Sequence, residues 1–344
     1  QVAAIDTLAK LGANVNQAKM NGTTPVFIAA QKGNGAAIDI LVKHGADVNQ
    51  ATNGGATPVL IAAEMGEVGT IDTLVKHGAN VNKAAHNGIT PMHIAAQTGQ
   101  VAAIDTLGKH GCDVNQANND GVTPVLVAAW NCQVAAIDTL VKLGADVNQT
   151  DKKGHTPVYV AAQQGHVAAI DTLAKHGANV NQADKDGITP VYIVAAMGQV
   201  AAVDTLVRHG ADPLVPVSDG KCALQVALER GHSHVVAVID EYIRTSSGSG
   251  GAPEDSKARC SARSRVSKSR GRGGAPTASF GTLATGMPSR NQTSANNWRH
   301  SGITPQLRHR ASRYHARAHV SYLAMQRAHE IMLHDARAAS AKEQ

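Results

Sequence analysis

The chain has 344 residues and a net charge of +6. It is 43% apolar but only 3% aromatic, so any core must be built from Ala, Val, Ile and Leu. No stretch approaches the ~18 apolar residues of a transmembrane helix. The four cysteines, Cys112, Cys132, Cys222 and Cys260, show neither CxxC spacing nor a short disulfide framework, which points to a reducing compartment. Charge is divided along the chain. Residues 1–244 hold 16 Lys+Arg against 21 Asp+Glu, a net −5, and residues 245–344 hold 16 against 5, a net +11. An acidic body and a basic tail imply different partners.

Residues 1–18 read as one helix and half a hairpin, so a preceding helix is expected upstream of Gln1. From there the chain is periodic. Thr-Pro recurs at Thr24-Pro25, Thr57-Pro58, Thr90-Pro91, Thr123-Pro124, Thr156-Pro157 and Thr189-Pro190, always 33 residues apart. Variants of Val-Ala-Ala-Ile-Asp-Thr-Leu recur in the same register from residues 2–8 to 200–206. A fixed period of this length dictates a repeat architecture. It divides the chain into six full units over 19–216 and a degenerate one over 217–244, where Cys222-Ala223 replaces Thr-Pro and Asp240-Glu241 give a polar closing face. That is how a capping repeat protects the open end of a solenoid.

The unit at 151–183 shows the local physics. Asp151 to His155 makes a tight turn with Gly154 available for positive φ. Thr156 is a helix N-cap with Pro157 at N1, and Gly165 ends that first helix in a left-handed conformation. A second helix follows with Val167, Ile170, Leu173 and Ala174 on one face. Its Asp171 and Lys175 form an (i, i+4) pair that is expected in every unit, from Asp6–Lys10 to Asp204–Arg208. One such unit cannot bury its apolar face alone, and stacked neighbours must supply the rest of the core.

Asp-Lys-Asp-Gly-Ile-Thr-Pro-Val-Tyr-Ile at 184–193, with Gly-Ala-Asp-Val-Asn at 45–49 and 144–148, resembles the ankyrin repeat over residues 1–244. The resemblance implies an all-α solenoid of 33-residue helix-turn-helix plus hairpin units. It also implies a non-catalytic scaffold or adaptor that binds a protein partner on a concave face. The family's histidine after Thr-Pro-Leu is kept only as His93. Phe27, Leu60, Leu126, Tyr159 and Tyr192 stand in the other units, where apolar packing is expected to replace its polar link. Cys132 stands where the other units have Gly33, Gly66, Gly99, Gly165, Gly198 and Gly231. Asn49, Asn115 and Asn148 match the family's target pattern for an oxygen-dependent hydroxylase, although hydrogen bonding within each hairpin is the expected role of these side chains.

From Thr245 the period ends. Residues 245–304, rich in Ser, Gly and Arg, are expected to be disordered, and residues 305–344 hold a basic amphipathic helix over 306–338. The Arg/Ser/Gly run at 262–274 offers nucleic-acid contact or a nuclear import signal, with a solubilising linker as the bland role. A cytoplasmic location is expected, or a nuclear one through that run.

No His-Glu-x-x-His, Gly-x-Ser-x-Gly or Walker-type sequence occurs, and no catalytic, cofactor or metal site or small-molecule substrate is expected. The aspartate column and the column of His44, His77, His110, His176 and His209 read as surface ladders created by repetition. Variation among units marks the candidate protein-binding positions. At the tips these are Met20, Asn21, Asn53, His86, Asn87, Asn119, Asp120, Lys152, Lys153, His155, Lys185 and Asp186. At the first-helix ends they are Gln31, Lys32, Glu64, Met65, Gln97, Thr98, Trp130, Asn131, Gln163, Gln164 and Met197. Trp130 and the methionines are poor choices for a face in water. Lys152, Lys153 and His155 form a positive patch that suits an acidic partner segment. Two other functions remain open: a targeting module of a larger kinase or ubiquitin ligase, and an RNA-associated protein working through its tail.

Overall fold

Thr-Pro at the start of each unit fixes where the first helix begins, and glycine fixes where it ends. The computed structural model describes residues 2–218 and 220–247. Chain order runs α1 (Val2–Lys10), α2 (Pro25–Gln31), α3 (Gly35–Lys43), α4 (Pro58–Met65), α5 (Val68–Lys76), α6 (Pro91–Thr98), α7 (Val101–Lys109) and α8 (Pro124–Trp130). It continues α9 (Val134–Lys142), α10 (Pro157–Gln164), α11 (Val167–Lys175), α12 (Pro190–Met197), α13 (Val200–Arg208), α14 (Ala223–Glu229) and α15 (Ser233–Ser247). No strand occurs among the described residues, so the hairpins are turn-tipped loops. The segments expected at 248–304 and 305–344 lie outside the described residues, and α15 carries the helix three residues past the expected boundary at 244.

The even-numbered helices pack side by side in one row and the odd-numbered ones in a second. Each first-row helix of the six full units opens on a Thr whose hydroxyl accepts a backbone N–H three residues on, as Thr156 does from Tyr159 at 3.2 Å. Such a cap contributes ~1 kcal/mol. In α14 Cys222 takes the Thr position, and its own N–H is satisfied by Gln225 Oε1 at 3.0 Å.

The two rows are buried differently. First-row helices are enclosed almost all round; in α4 every residue from Pro58 to Glu64 is buried. Second-row helices bury one stripe, Ala169, Ile170 and Leu173 in α11, while the expected Val167 and Ala174 are only half-buried. Burying each large aliphatic side chain contributes ~1.5–3 kcal/mol.

Between units, polar groups bond at constant sequence offsets. The amides of Asn16, Asn49, Asn82, Asn115, Asn148 and Asn181 each donate to a glycine carbonyl of the next unit and accept a backbone N–H there, as Asn49 does with Gly78 O at 2.9 Å and Asn80 N at 2.8 Å. These asparagines therefore bridge units, correcting the expectation that they bond within their own hairpins. In the second row His44, His77, His110, His176 and His209 donate from Nε2 to the aspartate one unit back, at 2.6–2.8 Å. The aspartates meet the expected (i, i+4) cation at Asp6–Lys10, Asp105–Lys109, Asp171–Lys175 and Asp204–Arg208, whereas Asp39 meets Lys76 of the next unit at 3.8 Å.

The fourth unit, residues 118–150, keeps the asparagine bridge through Asn148 but breaks the histidine pattern. Leu143 stands in the histidine column, and the neighbouring Gly108 stands where the other units have Val or Ala. A Cβ on Gly108 would lie 2.7 Å from Leu143 Cδ1, so the glycine makes room for the leucine. Gly108→Val alone should destabilise by ~1–3 kcal/mol through overpacking. Adding Leu143→His, which restores the Val–His pair of the other units beside Asp105, should recover that loss in urea unfolding. Additive single effects would refute the pairing.

Cys132 is the other departure, at φ +55°, the only positive φ outside glycine among the described residues. The equivalent glycines lie at +67° to +74°. A Cβ there costs ~1–2 kcal/mol. Cys132→Gly should raise the urea midpoint by an amount worth ~1 kcal/mol, and Cys132→Ala, which keeps the Cβ, should not.

Candidate protein-binding surface

Both sets of positions flank the first-row helices, the tips before their N-termini and the others at their C-terminal ends, ~11 Å apart along an eight-residue helix. Met20, Lys32, Asn53, His86, Asn87, Asn119, Asp120, Lys152, Lys185 and Asp186 are exposed there. Asn21, Gln31, Met65, Gln97, Thr98, Trp130, Asn131, Lys153, Gln164 and Met197 are half-buried. Three expected surface residues are not on the surface: Glu64, His155 and Gln163 are 3%, 5% and 5% exposed. Variation between units marks exposure only where the neighbouring unit leaves room, and at these three positions it does not.

Several tip side chains hold the edge together. Asn53 Nδ2 donates to Met20 O at 2.8 Å and Asn119 Nδ2 to His86 O at 2.9 Å, each reaching one unit back. The tip backbones are bonded in the same sense, as Lys152 N to Asp120 O and Lys185 N to Lys153 O, both 3.0 Å. Asn21 and Asn87 close their own turns instead, accepting from Thr23 N and Ile89 N at 3.0 and 3.1 Å. Thr98 and Asn131 bond back to Ile94 O and Val127 O, both at 2.9 Å. These bonds tie each tip to the one before it, with Met20, Lys152 and Lys185 exposed along that row.

Behind the edge lie two versions of one polar link. His93 Nδ1 accepts from the Thr90 N–H and hydroxyl at 3.2 and 2.7 Å, and its Nε2–H donates to Val122 O of the next unit at 2.9 Å. Burial pushes the imidazole down to about 4, keeping it neutral in this role. Phe27, Leu60 and Leu126 replace it with buried apolar packing, as expected. Tyr159 does not. Its hydroxyl donates to Asp184 Oδ2 of the next unit at 3.0 Å, so unit five keeps a polar link by a different atom. His155 stacks on the Tyr159 ring with centroids 4.7 Å apart, and its Nδ1 lies 3.0 Å from Asp151 Oδ2. That pairing takes His155 out of the positive patch, which consists of Lys152 and Lys153 with Lys185.

Paired helices stacked in two rows, each unit bonded to its neighbour at fixed offsets, define a helical-repeat solenoid. The family model for ankyrin repeats matches residues 1–85, 81–151 and 140–217, and the chain belongs to the ankyrin-repeat family. Ankyrin repeats are generally protein–protein interaction modules, and the fold is typically non-catalytic. Among solved structures the chain is similar to the human ASB11 ankyrin repeat domain, at 24% identity over 67% of this chain and 100% of that chain, with a TM-score of 0.57. That likeness shows the fold alone. No curated protein matches the chain.

Glu64 occupies the position of Gln31, Gln97 and Gln163, and burial pushes its carboxyl up to about 7. A carboxyl with its folded pKa raised binds more protons folded than unfolded, so its contribution is present at low pH and is lost as pH rises through about 7. Glu64→Gln should therefore stabilise the protein at pH ~8 by ~2–3 kcal/mol and change it little near pH ~4. Urea midpoints at the two pH values check this, and an equal shift at both would refute it.

Proposed function

We propose that this protein is a non-catalytic scaffold that holds a protein partner along the tips and first-helix ends of units three to five, centred on Trp130. The observation that carries this reading is the substitution itself. Trp130 takes a position filled elsewhere by Gln31, Glu64, Gln97 and Gln163, so the fold does not require an indole, and it is half-buried at the C-terminal end of α8. Buried tryptophans dominate interface energies when a partner completes their pocket. Met65 and Met197 add adaptable apolar surface at the adjacent positions of units two and six.

The test is Trp130→Gln in the full chain, which restores the residue of neighbouring units. Capture from native lysate, quantified against wild type, should lose specific partners by ~30-fold, equivalent to ~2 kcal/mol, with the melting temperature unchanged. Lower melting temperature with intact capture would leave Trp130 as local packing over Cys132.

A further inference from the structure

An asparagine followed by glycine carries a reaction of its own. The glycine nitrogen sheds its proton to water and attacks the asparagine Cγ, a five-membered succinimide closes and ammonia leaves. Water then opens the ring to aspartate or isoaspartate. Glycine lacks the Cβ that would crowd this approach. The chain contains the dipeptide four times, at Asn21-Gly22, Asn34-Gly35, Asn53-Gly54 and Asn87-Gly88.

Four identical dipeptides are not four equal sites. Ring closure needs a glycine nitrogen that is not bonded and an asparagine carboxamide free to swing onto it, and in three pairs both are held. Gly22 and Gly88 donate to Lys19 O and Ala85 O at 2.8 and 2.9 Å, while Asn21 and Asn87 Oδ1 accept from Thr23 N and Ile89 N. Gly35 donates to Gly33 O at 3.3 Å, and Asn34 caps α3 by accepting from Ala37 N at 3.0 Å.

The fourth pair differs. Among the described residues the Gly54 N–H has no acceptor and Asn53 Oδ1 has no donor. Both residues are exposed, which is true of no other Asn-Gly pair. Thr52 is the reason. At the same amide in units four to six, Asp120, Lys153 and Asp186 donate to the side chains of Asn118, Asp151 and Asp184 at 2.8–2.9 Å. The Thr52 hydroxyl accepts from Ala56 N instead, at 3.2 Å. Asn53 keeps one side-chain bond, Nδ2 to Met20 O at 2.8 Å, and its N–H donates to Asn21 O. The side-chain bond engages the nitrogen that leaves, not the atoms that join.

We infer that Asn53 is a site of spontaneous modification, closing to a succinimide with Gly54 in the folded protein and opening in water to aspartate and isoaspartate. A carboxylate has no N–H for Met20 O, so the side-chain bond that ties the second tip to the first is lost. Isoaspartate also lengthens the backbone of the turn by one atom, and either product adds a negative charge to the tip row. The inference is independent of where a partner binds.

The test incubates the full chain at mildly alkaline pH in water enriched in heavy oxygen and follows label at each asparagine by peptide mass spectrometry. Each hydrogen bond that must first break slows ring closure by ~2–10-fold, so Asn21, Asn34 and Asn87 should lag behind Asn53 by at least ~5-fold. In urea the four should convert at comparable rates. Gly54→Ala should suppress conversion at Asn53 and leave the melting temperature unchanged, because a Cβ there has open space, with Thr52 Oγ1 nearest at 3.9 Å. Asn21, Asn87 and Asp120 already occupy the same position in other units. Conversion at Asn53 no faster than at the other three in the native protein, the same ranking persisting in urea, or full conversion in Gly54→Ala overturns the inference.

Discussion

A unit in this protein touches only the units before and after it, so each polar group at a joint must find its partner at a constant distance along the chain. Asparagine amides reach forward 29 and 31 residues, and tip amides reach back 32. The glutamines and histidines that open second-row helices reach back 36, and second-row histidines reach back 38 to aspartate. Each bond is modest, ~0.5–1.5 kcal/mol net, but the same bond is repeated at every joint. Stability is then a sum over joints rather than a property of one core.

The same arithmetic divides the surface. On the second row, histidine and aspartate pair from unit to unit, and Lys10, Lys76, Lys109, Lys175 and Arg208 join those aspartates or their equivalents. On the tip edge the backbones are bonded tip to tip while Lys152, Lys153 and Lys185 carry no ion pair. Rigid main chain under unpaired side chains is the arrangement that lets a scaffold bind without reordering itself. Units four and five hold several of the irregularities: Trp130, Cys132, Leu143 and the Tyr159–Asp184 link. Departures from a repeating rule cost stability, and they gather where the proposed partner surface lies.

The architecture was legible because its signals are local. Thr-Pro marks a cap and N1, glycine marks a left-handed end, and Cys132 was found in the conformation its column demands. What escaped sequence reading depends on which neighbour faces which group. An Asp–Lys pair four residues apart is visible in one helix, but a His–Asp pair 38 apart is not, and the histidine column looked like repetition alone. The available signal was the joint change at Gly108 and Leu143, where losing the histidine coincides with losing a side chain opposite it. The asparagines were assigned to their own hairpins because a turn is the nearest place to spend an amide. Glu64, His155 and Gln163 varied between units as surface residues do, yet the adjacent unit covers them. Tyr159 looked like an apolar replacement for histidine because its acceptor, Asp184, lies in the next unit.

Constant offsets also govern how such a chain can change length. Removing or duplicating 33 residues, the Thr-Pro spacing, delivers the asparagine amide of each hairpin to an equivalent glycine carbonyl in another unit. Inserting a single residue between two tips shifts the asparagine, histidine and glutamine bonds of that joint together. Gene duplication and unequal recombination in whole-unit steps are therefore milder for this fold than a one-codon slip. A solenoid of this kind grows and shrinks by the unit, and the irregular fourth and fifth units are the pair that cannot be exchanged for a copy without losing the Leu143–Gly108 and Tyr159–Asp184 contacts.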